Sequence, residues 1–160
     1  MSVWETQQYR VSRWLGRVVT RSAAIATFGR MPPFVSTSAI VERDGSLLVV
    51  VDPILQEPVL PGGHLKWKET PEQGLQREVE EETGFLVEPE SIVGVFAGLE
   101  WAGEDGIVRI VYQACIRGGS LRSSHEGEAV WVLPHEVARS DSRDAQIIAR
   151  WLADFSNRRV

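Results

Sequence analysis

Cysteine is almost missing from this chain: Cys115 stands alone among 160 residues, which excludes an intrachain disulfide and makes a reducing compartment the default. Cys115 lies in the apolar run from Ile107 to Ile116 and reads as a buried core thiol, since free cysteine behaves as a small hydrophobe. No apolar stretch approaches the ~20 residues that cross a bilayer, and the N-terminus lacks the charged-then-apolar layout of a secretory signal. The expectation is a soluble, cytoplasmic protein without a membrane span. His125 and His135 have no companions at metal-ligand spacing, and no internal repeat or low-complexity tract is present. Basic charge is short as well. A formal net charge of −5 excludes a general nucleic-acid binder, because a phosphate backbone would repel it.

What is there suits a single compact body: 43% of residues are hydrophobic and 24% charged, ordinary globular values. The charge is unevenly spread. Residues 1–30 hold five Arg and one Glu, a balance of +4, which leaves −9 for residues 31–160. Val11, Trp14, Leu15, Val18 and Val19 form one helical stripe within residues 3–28, with Arg10, Arg13, Arg17 and Arg21 at the same period on a neighbouring face. Met31-Pro32-Pro33 breaks that helix. The domain expectation is a helical extension over residues 1–30 and an acidic main body over 31–160. The basic stripe has four readings: packing on the body, docking to a membrane surface, meeting a second subunit in a homodimer, or serving as an Arg-rich organelle-targeting segment, although nothing resembles a cleavage site.

Beyond Phe34 the signals turn mostly to strand. Val35 to Glu42 and Ser46 to Asp52 flank Arg43-Asp44-Gly45 and read as a hairpin. Val59-Leu60 reads as a short strand, Ser91–Trp101 and Ile107–Ile116 as strands joined by a Gly103-Glu104-Asp105-Gly106 turn, and Ala129–Leu133 as a strand. Asp144–Phe155 reads as an amphipathic helix. Strands and helices mixed without regular βαβ alternation point to an α/β (α+β) sandwich with a mixed sheet.

Residues 70–84 are marked as a helix at both ends. Thr70 is the N-cap, Pro71 fits the first position, Gln73 completes a capping box and Gly84 is the C-cap. Leu75 and Val79 supply the apolar contact. Yet Glu78, Glu80, Glu81 and Glu82 crowd the last two turns, against the helix dipole, at ~0.3–1 kcal/mol each when exposed. Glu78 and Glu82 at i, i+4 add repulsion of ~0.2–0.5 kcal/mol. Local-rule violations of this kind mark functional positions. Glu78, Glu81 and Glu82 fall at i, i+3 and i+4 on one face, and oxygen-only ligands suit Mg²⁺ or Mn²⁺ rather than zinc.

Reading back, Gly63-His64-Leu65-Lys66-Trp67-Lys68-Glu69 precedes the helix and Arg77-Glu78-Val79-Glu80-Glu81-Glu82-Thr83-Gly84-Phe85 closes it. This segment resembles the Nudix box, Gly-x5-Glu-x7-Arg-Glu-U-x-Glu-Glu-x-Gly-U with U apolar, at all seven fixed and both apolar positions. The box spans 23 residues; residues 1–30 fall outside the resemblance. The resemblance implies an α/β/α sandwich and a metal-dependent pyrophosphohydrolase of the MutT-like kind. It implies Glu78, Glu81 and Glu82 as metal ligands together with the backbone carbonyl of Gly62. Glu69 and Arg77 support the site, with Arg77 pairing to Glu69 to fix the loop. Gly63 allows a tight turn near the phosphates. The general base is a box glutamate or one from a later loop, where Glu126 stands first and Glu128 second. His64 and Trp101 are candidate substrate contacts, and Phe96 and Tyr112 either line a base pocket with Trp101 or belong to the core. The implied substrate is a small nucleotide, best a (deoxy)nucleoside triphosphate. The alternatives are a nucleotide sugar, an ADP-ribose-type compound, or a non-catalytic nucleotide-sensing domain.

Overall fold

In the computed structural model, which describes residues 33–53, 56–98 and 106–158, alternation along the first strand sets the layers. Ala39 and Val41 face one side and Ile40 the other, all fully buried, as the two-residue period of a strand buried on both faces requires. The strand is β1 (Phe34–Ile40). β2 (Glu42–Arg43), β3 (Ser46–Val51), β4 (Pro58–Val59) and β5 (Gly62–His64) follow, then helix α1 (Pro71–Thr83). The chain continues as β6 (Phe85–Ala97), β7 (Ile107–Gly119), β8 (Glu128–Val132), α2 (Pro134–Ala138) and α3 (Ala145–Arg158). The described residues after Pro33 belong to one unit, Phe34–Val160; the helix expected over residues 3–28 lies outside the described residues, as does most of the turn expected at residues 103–106.

One four-stranded sheet runs β5-β1-β7-β6. It is mixed, because β1 pairs parallel to β7 while β5 and β6 pair antiparallel. In the second sheet β2 and β4 pair with opposite ends of one edge of β3, and β8 pairs along the other edge. The hairpin expected from residues 35–52 is therefore smaller than its sequence signal. Only Glu42–Arg43 turns back on Ser46–Leu47, around Asp44 and Gly45 at φ 52° and 79°. The chain leaves the first sheet at Val41, and β1 takes β7 as its partner.

Two apolar layers result. Leu75 and Val79 of α1 pack with Ala39, Val41, Leu48, Phe85, Val87, Tyr112 and Ala114. On the opposite side Ile40, Leu47, Val49, Leu60, Phe96 and Val111 pack with Val137, Ile147, Ile148 and Trp151. This is a mixed-sheet α/β/α sandwich, as expected. Cys115 departs from its expected place. It is half-buried, with its thiol 3.8 Å from the Glu88 carbonyl, because strand alternation turns Tyr112 and Ala114 inward and Cys115 outward. Among the described residues no helix is long and apolar enough to cross a membrane.

Candidate active site

The site is assembled where β5 runs into the loop before α1. The connector from β4 is pinned in sequence order. The Leu60 N–H donates to Asp144 Oδ2 at 2.6 Å, the Pro61 carbonyl accepts from the Ala39 N–H at 2.9 Å, and the Gly62 N–H donates to Glu82 Oε2 at 2.8 Å. Gly62 has φ 148°, and a Cβ there would lie 2.1 Å from the Thr37 carbonyl oxygen. Only glycine fits such a backbone approach. At Gly63 a Cβ would sit 2.6 Å from the carboxyl carbon of Glu78, so the missing side chain is the space that this carboxylate occupies.

Helix α1 begins and ends as its sequence demands. The Thr70 hydroxyl accepts from the Gln73 N–H, and the Gln73 side chain accepts from the Thr70 N–H. Gly84 closes the helix at φ 76°. On its surface Arg77 is the hub. Its guanidinium grips Glu69 through two hydrogen bonds of 2.7 and 2.9 Å, donates to the His64 carbonyl at 3.1 Å, and meets Glu78 at 2.7 Å and Glu81 at 3.2 Å. This fork geometry is specific to arginine. The Arg77 hydrogen bonds, with the Lys66 N–H, hold the Glu69 carboxyl down at about 2. Loop, helix and β5 are thereby tied at one guanidinium.

The glutamates of α1 do not share one environment. Glu82 is buried, 8% exposed. Burial, and then the charges of Glu126 and Glu78, push its carboxyl up to about 8, against the Gly62 N–H, which lowers it. Burial likewise raises Glu78, with Arg77 opposing and Glu126 and Glu81 adding to the rise. Glu81 is exposed and faces Arg77 and Lys66, the latter at 3.5 Å. Among the described residues no three carboxylates, histidines or cysteines stand close enough to form a ready metal cage. The face expected from the i, i+3, i+4 spacing is present, but its like charges spread toward the nearest donors. Glu126, in the loop before β8, reaches this group; it presses on both Glu82 and Glu78. Glu128 is exposed at the start of β8, in register with Val51 of the other sheet.

The donors nonetheless suit a hard divalent cation. They are oxygens only, a Cβ-sized space beside Gly63 admits the Glu78 carboxylate, and burial, with the charges of Glu126 and Glu78 beside it, outweighs the Gly62 N–H at Glu82.

His64 is exposed at the end of β5, its ring edge-on to Phe34 at 6.3 Å. Trp101 lies outside the described residues. Phe96 and Tyr112 are core residues on opposite faces of the sheet, with the Tyr112 hydroxyl donating to Glu72 at 2.9 Å; the pocket-lining reading does not hold for either. Two features escaped the sequence reading. One is the buried ion pair of Arg109 with Asp144, which also binds Leu60 and Ser38. Its signal was present, since Arg109 is the only charged residue within Ile107–Ile116. The other is a cleft of about 360 Å³ lined by Glu81, Glu82, Arg122, Ser123, Ser124, His125 and Glu126. No spacing rule announces Arg122, which the fold brings to the end of α1.

The NUDIX domain family matches residues 32–155. The chain is 39% identical over 127 residues to a MutT-like protein of Streptomyces ambofaciens, covering 77% of this chain and 78% of that protein. It is 28% identical over 99 residues to an ADP-ribose pyrophosphatase of Methanocaldococcus jannaschii, covering 60% and 59%. A solved NUDIX hydrolase from Nitrosomonas europaea superposes with TM-score 0.65 at 26% identity, covering 76% of this chain and 90% of that one. With box, fold and match in agreement, the chain belongs to the NUDIX family and is a hydrolase acting on acid anhydrides in phosphorus-containing compounds.

Proposed function

We propose that this hydrolase cleaves a phosphoanhydride bond in a nucleoside-diphosphate-linked substrate, best a (deoxy)nucleoside triphosphate, which it converts to the monophosphate and pyrophosphate. The observation that carries the reading is the buried Glu82 carboxylate, pressed by Glu78 and Glu126 beside a glycine edge. Such a group is stabilised by a cation and not by another protein anion. NUDIX hydrolases generally use divalent metal cations, and Mg²⁺ or Mn²⁺ bound by Glu78, Glu81, Glu82 and the Gly62 carbonyl would neutralise phosphate charge and acidify the attacking water.

The chain's own residues do the rest. Glu126 takes the proton of the attacking water as its oxygen bonds to phosphorus, and the bridging oxygen leaves with the pyrophosphate. Glu128 is the second choice for that role. Arg77 holds Glu69 and the His64 carbonyl, so the Gly63–Glu69 loop cannot drift from α1. Gly63 and His64 present the backbone edge beside the phosphates. Residues 31–160 carry the activity, and deletion of residues 1–30 is expected to leave kcat unchanged. The ADP-ribose-type alternative is supported by the Methanocaldococcus relative.

The test is a panel of nucleoside triphosphates, diphosphates, nucleotide sugars and ADP-ribose, assayed with Mg²⁺ and with Mn²⁺ for phosphate, pyrophosphate and nucleotide products. Metal-dependent release of pyrophosphate is the expected result. Turnover of no member of the panel overturns the reading.

A further inference from the structure

The C-terminal end of α1 carries four glutamates and no basic residue in its last turn. A cation nevertheless arrives there from elsewhere in the chain. The Arg122 N–H donates to the Thr83 carbonyl at 2.9 Å, and its side chain crosses over Gly84, where a Cβ would come within 2.4 Å of Arg122 Cγ. The absence of a side chain at Gly84 is what lets the arginine lie along the wall of the cleft. Its guanidinium makes a single long contact of 3.5 Å with the Glu80 carbonyl, and among the described residues it has no carboxylate partner within ion-pair distance. A guanidinium carries five donors in a planar fork, and this one commits a single weak bond.

Beside it stand two hydroxyls in a similar condition. Ser123 Oγ accepts from the Ala129 N–H at 3.2 Å, and Ser124 Oγ accepts from the Glu126 N–H at 3.1 Å. Each keeps its own O–H, for which no acceptor is present among the described residues. All three residues line the same cleft as Glu81, Glu82 and Glu126. The cleft thus brings carboxylates and uncommitted donors together, with Glu126 on the same loop as the two serines, a combination that suits a polyphosphate whose reacting part lies against Glu81 and Glu82. The rest of its charge must then meet donors directly, and arginine with hydroxyls is a common receptor for phosphoryl oxygens.

We propose that Arg122, with Ser123 and Ser124, is the subsite for the distal phosphoryl group of a nucleoside triphosphate and sets selectivity against substrates whose far side is a neutral sugar. This rests on the hydrolase reading above and deepens it.

The experiment compares wild type with Arg122→Gln and Arg122→Lys on a nucleoside triphosphate and on ADP-ribose, with Mg²⁺ present. It also follows pyrophosphate binding by calorimetry and thermal midpoints of each variant. Loss of a charge-assisted bond predicts a rise in KM for the triphosphate of roughly 10- to 100-fold in R122Q, partial recovery in R122K, weaker pyrophosphate binding by a similar factor, and KM for ADP-ribose within about twofold of wild type. Equal losses on both substrates, or a lowered midpoint with unchanged triphosphate KM, would show Arg122 to be only a cation at the end of α1 and overturn the proposal. A wild-type enzyme that hydrolyses ADP-ribose but no nucleoside triphosphate also overturns it, while leaving the hydrolase reading intact. Turnover of neither, nor of any other phosphoanhydride, is instead the failure of that reading.

Discussion

Glu82 concentrates the electrostatic conflict of the site in one side chain. Its carboxyl sits at about 8, against an ordinary 4.5. The folded state therefore holds a proton more tightly than the unfolded chain, and that contribution is complete below about 4.5 and lost as pH rises through about 8. The metal-free protein should lose stability on the order of a few kcal/mol over that window, read as a falling thermal midpoint in chelator from pH 5 to pH 8.5. Glu82→Gln should flatten most of this slope, and added Mg²⁺ should raise the wild-type midpoint more at pH 8.5 than at pH 6. Parallel slopes in wild type and E82Q would refute the assignment. The oddity of this residue was legible in the sequence, because Glu78 and Glu82 one turn apart at a helix C-terminus break two local rules at once. Its burial was not legible, for that depends on Gly62 arriving from β5.

At the scale of elements, two adjacent glycines in β5 make opposite demands. A methyl group on Gly62 meets the main chain of β1, which cannot yield, whereas one on Gly63 meets only the tip of the Glu78 side chain. Gly62→Ala should accordingly lower stability by ~1–3 kcal/mol in urea melts. Gly63→Ala should fold within ~0.5 kcal/mol of wild type yet lose activity by tenfold or more, because Glu78 is displaced. Equal stability losses in the two variants would contradict this division. The caps of α1 were readable from Thr70, Gln73 and Gly84, since capping is decided within a few residues. The pairing of β1 was not, because the turn at Asp44-Gly45 explains only β2 and β3, and the parallel bond to β7 joins residues some seventy positions apart.

For the molecule as a whole, the tie between layers is the Arg109–Asp144 pair, 7% and 0% exposed, linking β7, the segment before α3 and the connector that leads to Gly62. Burial would raise the Asp144 carboxyl, but the Arg109 charge and hydrogen bonds outweigh it and hold it low. Asp144→Ala leaves a buried guanidinium unpaired and should cost ~3–5 kcal/mol, seen as a reduced urea midpoint. A change below ~1 kcal/mol would refute the buried-pair account. The same variant should weaken catalysis even where it folds, because the Leu60–Gly62 segment loses an anchor. Such a long-range tie is visible in sequence only as one arginine out of place in an apolar strand, without a hint of its partner. The box pointed to the chemistry and the later loop to Glu126; the fold brings Glu126 onto Glu82 and Glu78 and adds Arg122 to the same cleft. The most direct test of the central claim is pyrophosphate release from a nucleoside triphosphate at pH 8, titrated with Mg²⁺ in wild type and E82Q. The account predicts saturable, chelator-abolished turnover in wild type, and in E82Q a loss of at least about a hundredfold in rate, ~2.7 kcal/mol, with a weakened Mg²⁺ dependence. Undiminished turnover and the same Mg²⁺ midpoint in E82Q would contradict it.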